Sequence, residues 1–187
     1  IIACIFLTAM LFSAVGNAGA SGYLATMAFF GFTTEEMRCT AILLNVVAAT
    51  ITTLKFYRAG HLRWSLLWPF AVTSVPLAFV SGRLVVEPLL FIILAGIALL
   101  VAACSLLVKP GREKVKPPSV PLTMICGAAI CVLSGLTGTG GGVFLSPLLL
   151  FMGWANARNA SGAASAFILV NSLATAIGLF KMGIKVP

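Results

Sequence analysis

The sequence predicts an all-α polytopic membrane protein made of two internal repeats. Each repeat has a glycine-broken or re-entrant helix followed by transmembrane helices. Three observations carry this. Of the 187 residues, 60% are hydrophobic and 9% charged, whereas soluble domains carry about 25% charged residues. Four stretches, 1–31, 65–82, 88–108 and 117–157, hold no charge at all, and a transmembrane helix needs roughly 20 mainly apolar residues. Two of these stretches are interrupted by glycine clusters, and the interruptions recur in the same context. A signal peptide cannot explain so many segments.

The elements follow in order. Residues 1–15 are apolar until "GNAGASG" (16–22) breaks them, and 23–32 resume. In "TTEEMR" (33–38), Thr33 or Thr34 can cap the next helix, with Glu35 and Glu36 in its first turn, where the helix dipole favours acids. That helix is expected to reach about Tyr57. "KFYRAGHLRW" (55–64) is a basic turn with interfacial aromatics, 65–82 spans, "GRLVVEP" (82–88) turns, and 89–108 spans. The Pro-rich, charged "KPGREKVKPPSVP" (109–121) is the clearest boundary, a linker between a first repeat (1–108) and a second (122–187). Residues 122–136, a glycine break, 143–152 and a last helix over 158–180 complete the chain. The chain opens inside a hydrophobic run and ends just after one, so it reads as a fragment.

Charge sets the topology. One side of the membrane holds Lys55, Arg58, Arg63, Lys109, Arg112, Lys114 and Lys116; the other holds Arg38 and Arg83 against Glu35, Glu36 and Glu87. The positive-inside rule places loops 55–64 and 109–121 in the cytoplasm. The net charge of +8 thus reads as topology, and no basic soluble face exists to bind nucleic acid. The lipid bilayer is the implied partner, and homo-oligomerisation stays open. The five cysteines are scattered without a CxxC pair and read as small apolar residues.

The repeat has two anchors. "SAVGNAGASG" (13–22) resembles "SGLTGTGGGV" (134–143), pairing Ser13 with Ser134 and Gly19 with Gly140. "ILLNVVAATITTLKF" (42–56) resembles "ILVNSLATAIGLFKM" (168–182), pairing Asn45 with Asn171 and Lys55 with Lys181. The two plain spans that follow in the first half have no counterpart at the C-terminus, which predicts roughly 60 further residues in a full protein. Duplicated halves with interrupted helices are the usual build of secondary transporters, and the paired interruptions are the pointer to the substrate site. Hairpin breaks would make the halves inverted and spanning breaks would make them parallel; the charges do not choose.

"GLTGTGGGVFLSPLLLFMG" followed by "ASGAASAFILVNSLATAIGLF" resembles the TauE/SafE sulfite-exporter family, which includes 4-toluene sulfonate uptake permease-like transporters. "YRAGHLRWSLLWPF" is similar to the basic turn and Trp-bearing helix start of those proteins. "GNAGASG" departs from the family's Gly-rich motif. The resemblance implies a permease or exporter of small anions, such as sulfite, organosulfonates or related sulfur compounds, in the bacterial inner membrane.

The residues fit that chemistry. A dehydrating anion needs fixed donors, which helix N-termini supply. Unwound backbone is tolerated at membrane depth only when enclosed by protein or lining a cavity. The candidate substrate-binding set is Thr137, Gly138, Thr139, Gly140, Gly141, Gly142, Ser146 and Asn171 in the second half, with Asn17, Gly19, Ser21 and Asn45 in the first. Pro147 is expected in the first turn of the restarting helix, where its missing N–H is harmless. The two asparagines either bond helix to helix or line the pathway. Ser161, Ser165 and Ser172 read as helix packing, Arg38 and Arg158 as interface anchors, and Lys55 and Lys181 as snorkelling helix ends. His61, the only histidine, falls in a turn. The chain has no Asp, no Walker loop and no buried catalytic constellation, so an enzyme is not expected, and no cofactor or metal is implied. A non-transporting membrane assembly or chaperone subunit is the alternative.

Overall fold

The computed structural model describes residues 4–8, 10, 19–81, 87, 89–90, 92–93, 96–97, 100, 104, 119–137 and 139–181. Regular structure among the described residues is helical. The longer helices are α1 (Ala20–Phe29), α2 (Thr34–Arg58), α3 (Trp64–Ser81), α4 (Val120–Thr137), α5 (Gly142–Phe151) and α6 (Ala157–Phe180). Three of them, α2, α3 and α6, are long and apolar enough to cross a membrane, and the chain is a polytopic membrane protein. Most of the expected span 89–108 and most of the linker 109–121 lie outside the described residues.

Local chemistry explains the ends. Thr33 is the cap of α2: its hydroxyl accepts from the Glu36 N–H at 3.4 Å, and the Glu36 carboxylate accepts from the Thr33 N–H at 2.9 Å. This is the reciprocal capping box. Asn156 caps α6, its side-chain oxygen accepting from the Asn159 N–H at 3.0 Å. At the end of α1, Gly31 N–H reaches the Ala28 carbonyl and Phe32 N–H the Met27 carbonyl; at the end of α5, Gly153 pairs with Leu150 and Trp154 with Leu149 in the same way. Both are Schellman closures around a glycine. α5 starts at Gly142, one residue earlier than expected. Pro147 therefore lies in the second turn, not the first, and withdraws the helical donor from the Val143 carbonyl.

Contacts fix the direction of each helix. α2 runs from an Arg38 end to a His61 end, and α3 returns. α4 lies parallel to α3: Thr73 Oγ1 donates to the Met124 carbonyl at 3.0 Å, and Cys131 Sγ to the Ser74 carbonyl at 2.9 Å. Both α3 and α4 thus start at the His61 end. α5 turns back, because Trp154 just beyond it packs on Phe70 with ring centroids 6.4 Å apart. α4 and α5 are a hairpin whose tip lies inside the bundle. α6 begins beside the His61 carbonyl, which lies 2.7 Å from where a Gly162 Cβ would be. It ends with Lys181 Nζ 5.7 Å from the Phe79 ring centroid. α6 is therefore antiparallel to α2, with Gly162 against Phe56 and Ile168 against Ala49.

Arg38 differs from its sequence reading. It is 7% exposed, and its guanidinium donates to the Ser81 and Gly135 carbonyls at 2.6 and 3.1 Å. It is a buried tie between α2 and the last turns of α3 and α4, not an interface anchor. Apolar burial closes the rest: Leu66, Phe70, Ile130, Leu145, Leu149, Ala163 and Phe167 form one core among α3, α4, α5 and α6.

The α3–α4 contact depends on Gly127, where a Cβ would lie 2.9 Å from the Phe70 carbonyl oxygen and 3.1 Å from its Cα. Backbone cannot yield as a side chain can. Gly127→Ala is expected to destabilise the fold by about 1–3 kcal/mol, read as a lower thermal midpoint in detergent; an unchanged midpoint refutes this close approach.

Candidate functional site

The glycine break forms the tip of the α4–α5 hairpin. Thr137 ends α4. Gly138 lies outside the described residues. Thr139 is fully buried, and its N–H donates to the Ser134 carbonyl at 3.1 Å. Gly140 and Gly141 have φ of 73° and 80°, the left-handed region that costs an L-residue roughly 1–2 kcal/mol. Gly141 caps α5 without any side-chain hydrogen bond. The first N–H groups of a helix have no intrahelical partner, and the dipole puts about half a positive charge there.

This tip presses on the middle of α6. A Cβ at Gly140 would lie 2.7 Å from Ile168 Cγ2 and 2.9 Å from Ser172 Oγ; one at Gly141 would lie 2.7 Å from Phe167 and 3.0 Å from Ser134 Oγ. Gly142 meets Ile168 and the Ala164 carbonyl. Only glycine combines this backbone with this proximity.

Buried polar groups lie near this turn, and Ser172 touches it, its Oγ 2.9 Å from where a Gly140 Cβ would be. Ser172 is 1% exposed, and its hydroxyl has no hydrogen-bond partner among the described residues. Asn171 is 2% exposed, and both its amide atoms are likewise unpaired. Ser146, one turn along α5 from Gly142, buries an unpaired hydroxyl. Asn45 is fully buried on α2. Ala49 packs on Ile168; Asn45 lies one turn before Ala49 and Ser172 one turn after Ile168. The antiparallel register therefore brings Asn45 to the depth of Asn171 and Ser172. Not every unpaired hydroxyl belongs here: Ser74 Oγ is also unpaired, but it sits in α3 beside Cys131.

In the first half, Asn17 lies outside the described residues. Gly19 caps α1 with φ of 91°, again without a side-chain bond. Ser21 is the second residue of α1. Gly19 before α1 and Gly141 before α5 are both left-handed N-caps. Gly19 and Gly141 are the caps, Gly31 and Gly153 the closing glycines, and both pairs lie 122 residues apart (141 − 19 and 153 − 31). Each half-helix has 10 residues. Near Gly19 the buried Tyr23 hydroxyl lies 2.9 Å from where a Cβ would be, an aromatic for which α5 has Leu145.

Ser172 reads from sequence as helix packing. Ser165 instead bonds within its own helix, donating to the Ser161 carbonyl at 2.8 Å. Nothing in the local sequence separates the two, which lie two turns apart on one face of α6; the contact of Ser172 with Gly140 does.

An unpaired buried polar group costs about 1–3 kcal/mol. Asn171→Leu and Ser172→Ala are therefore expected to raise the thermal midpoint of the ligand-free protein. A lowered midpoint in both would mean that these side chains hold the fold together.

Comparison with known proteins supplies the lineage. The model of the family described as "Sulfite exporter TauE/SafE" matches residues 1–185. The "Probable membrane transporter protein y4hK" of Sinorhizobium fredii (strain NBRC 101917 / NGR234) is 35% identical over 179 residues, covering 92% of this chain and 72% of that protein. No solved structure matches the chain. A family match over nearly the whole length, on a helical membrane fold whose glycine break is enclosed by protein, establishes that the chain belongs to the TauE/SafE sulfite exporter family of membrane transporters.

Proposed function

We propose that the chain is a secondary transporter of small anions that binds its substrate at the tip of the α4–α5 hairpin. The observation that carries this reading is the cluster of buried, unpaired donors on α6, Asn171 and Ser172, set against an uncapped helix N-terminus. Ser172 Oγ lies within contact reach of Gly140. An amide and a hydroxyl can donate to an oxyanion that has left its water, and the positive end of α5 favours its charge. The donors are neutral, so the empty site leaves no uncompensated charge in the membrane. The family's description as sulfite exporters supports sulfite or a related sulfur oxyanion as the substrate, and the bacterial inner membrane as its place.

The two halves, 1–108 and 122–187, are inverted copies in this reading. Support comes from the matched half-helices, each packed on the long helix that follows it, and from the antiparallel run of α2 and α6. Asn45 and Asn171 then meet at one depth from opposite directions, with the N-terminus of α1 serving the first half as that of α5 serves the second. Inverted repeats around a midplane site are a common transporter plan.

Gly140→Leu or Asn171→Leu is expected to abolish anion flux in proteoliposomes while leaving membrane insertion intact. Normal flux in both variants would sink the site. A non-transporting assembly subunit would show no specific anion effect, so thermal stabilisation of the purified protein by sulfite or a sulfonate, but not by chloride, separates the two readings.

A further inference from the structure

Arg38 is a cation inside an apolar bundle, and its contacts join α2 to the packed pair of α3 and α4. It sits in the second turn of α2. Its guanidinium donates to the Ser81 carbonyl, at the last residue of α3, and to the Gly135 carbonyl, in the last turn of α4. Terminal carbonyls of a helix lack intrahelical donors, and a cation is favoured at that negative end. Two such ends converge on one guanidinium. Charge-assisted bonds of this kind are stronger than neutral ones.

The location matters as much as the bonds. The hairpin opens toward the His61 end, so its glycine tip points toward the Arg38 end. Gly135 directly follows Ser134, whose carbonyl receives the Thr139 N–H that shapes the tip. Gly135 is also where α4 approaches Ser81 of α3 most tightly, with no room for a Cβ beside the Ser81 hydroxyl. The contacts of Arg38 with α3 and α4 therefore lie on the Arg38 side of the tip. At the His61 end Gly162 of α6 packs against the His61 carbonyl and Phe56.

We propose that Arg38 is a positioning residue that latches the Arg38 end of the pathway shut, and that releasing its bonds to Ser81 and Gly135 opens the site to that side. This rests on the transport reading above, but its test does not. A polar latch suits a step that must reverse: the bonds are directional, they are lost together when α2 shifts, and water entering the opened cleft replaces them.

Cys39, next to Arg38 and 3% exposed, is a built-in reporter. The full chain is placed in proteoliposomes with Cys4, Cys104, Cys126 and Cys131 changed to Ala, and Cys39 is reacted with a water-soluble maleimide. Arg38→Gln is expected to speed alkylation about tenfold or more, a shift in a two-state equilibrium, and Arg38→Lys, whose single ammonium spans the two carbonyls less well, to speed it less. A second reporter, Ala160→Cys with Cys39→Ala, marks the His61 end and is expected to keep its rate in Arg38→Gln. Equal Cys39 rates in all three proteins overturn the proposal. So does a parallel rise of both reporters, which signals general loosening. If Arg38→Gln does not yield a monodisperse protein, Arg38→Lys decides, and a Cys39 rate equal to wild type overturns the latch. Absence of anion flux in the wild type would refute the transport reading and leave the alkylation rates to decide the latch by themselves.

Discussion

Backbone that leaves the helix inside a bilayer must be enclosed, because hydrocarbon offers its N–H and C=O groups nothing to bond. The rest of this fold follows from that constraint. The glycine turn at 139–141 sits at the depth of the middle of α6, and α6 is the wall that encloses it. Its sequence suits a wall: Ala160, Gly162, Ala163, Ala164 and Ala166 are all buried and small, so α2, α3 and α5 can come close. Other large apolar side chains, among them Val47, Ile51, Trp68 and Val72, are exposed, a pattern suited to lipid, whose tails are as apolar as they are.

The same enclosure creates an energetic tension. Glycines at the tip are held in a conformation that other residues resist, and Asn171 and Ser172 are buried with unmet hydrogen-bonding capacity. A fold selected only for stability would place Leu and Ala there. The apolar cluster of α3, α4, α5 and α6 and the capped ends of α2 and α6 offset the deficit. A transporter must bind its cargo and then let it go, and donors that are costly when empty yet neutral in charge suit both demands.

Much of this was readable in the residues. Absence of charge over four long stretches pointed to the membrane class, Thr33 or Thr34 ahead of two acids to the start of α2, and five glycines among nine residues to the break. The matched asparagines were visible because amides stand out at membrane depth. Three features were not readable. Ser172 looks like Ser165 in one dimension, and only the packing of the glycine turn distinguishes them. Arg38 lies near a helix start, where arginines usually meet headgroups; its burial depends on the ends of α3 and α4, which are distant in sequence. The hairpin was undecidable because its two arms contain no charge to report the side on which they end.

That hairpin has a consequence for how the chain enters the membrane. Val120 at the start of α4 and Trp154 after α5 lie toward the same end of the bundle, so no polar segment between them has to be carried across the bilayer. On the far side the tip is held by contacts alone, the Arg38 guanidinium bonding the Gly135 carbonyl beside it. The turn itself presses on α6, which is synthesised later than α3 and α4. The glycine turn therefore gains its last enclosing wall only when α6 joins the bundle.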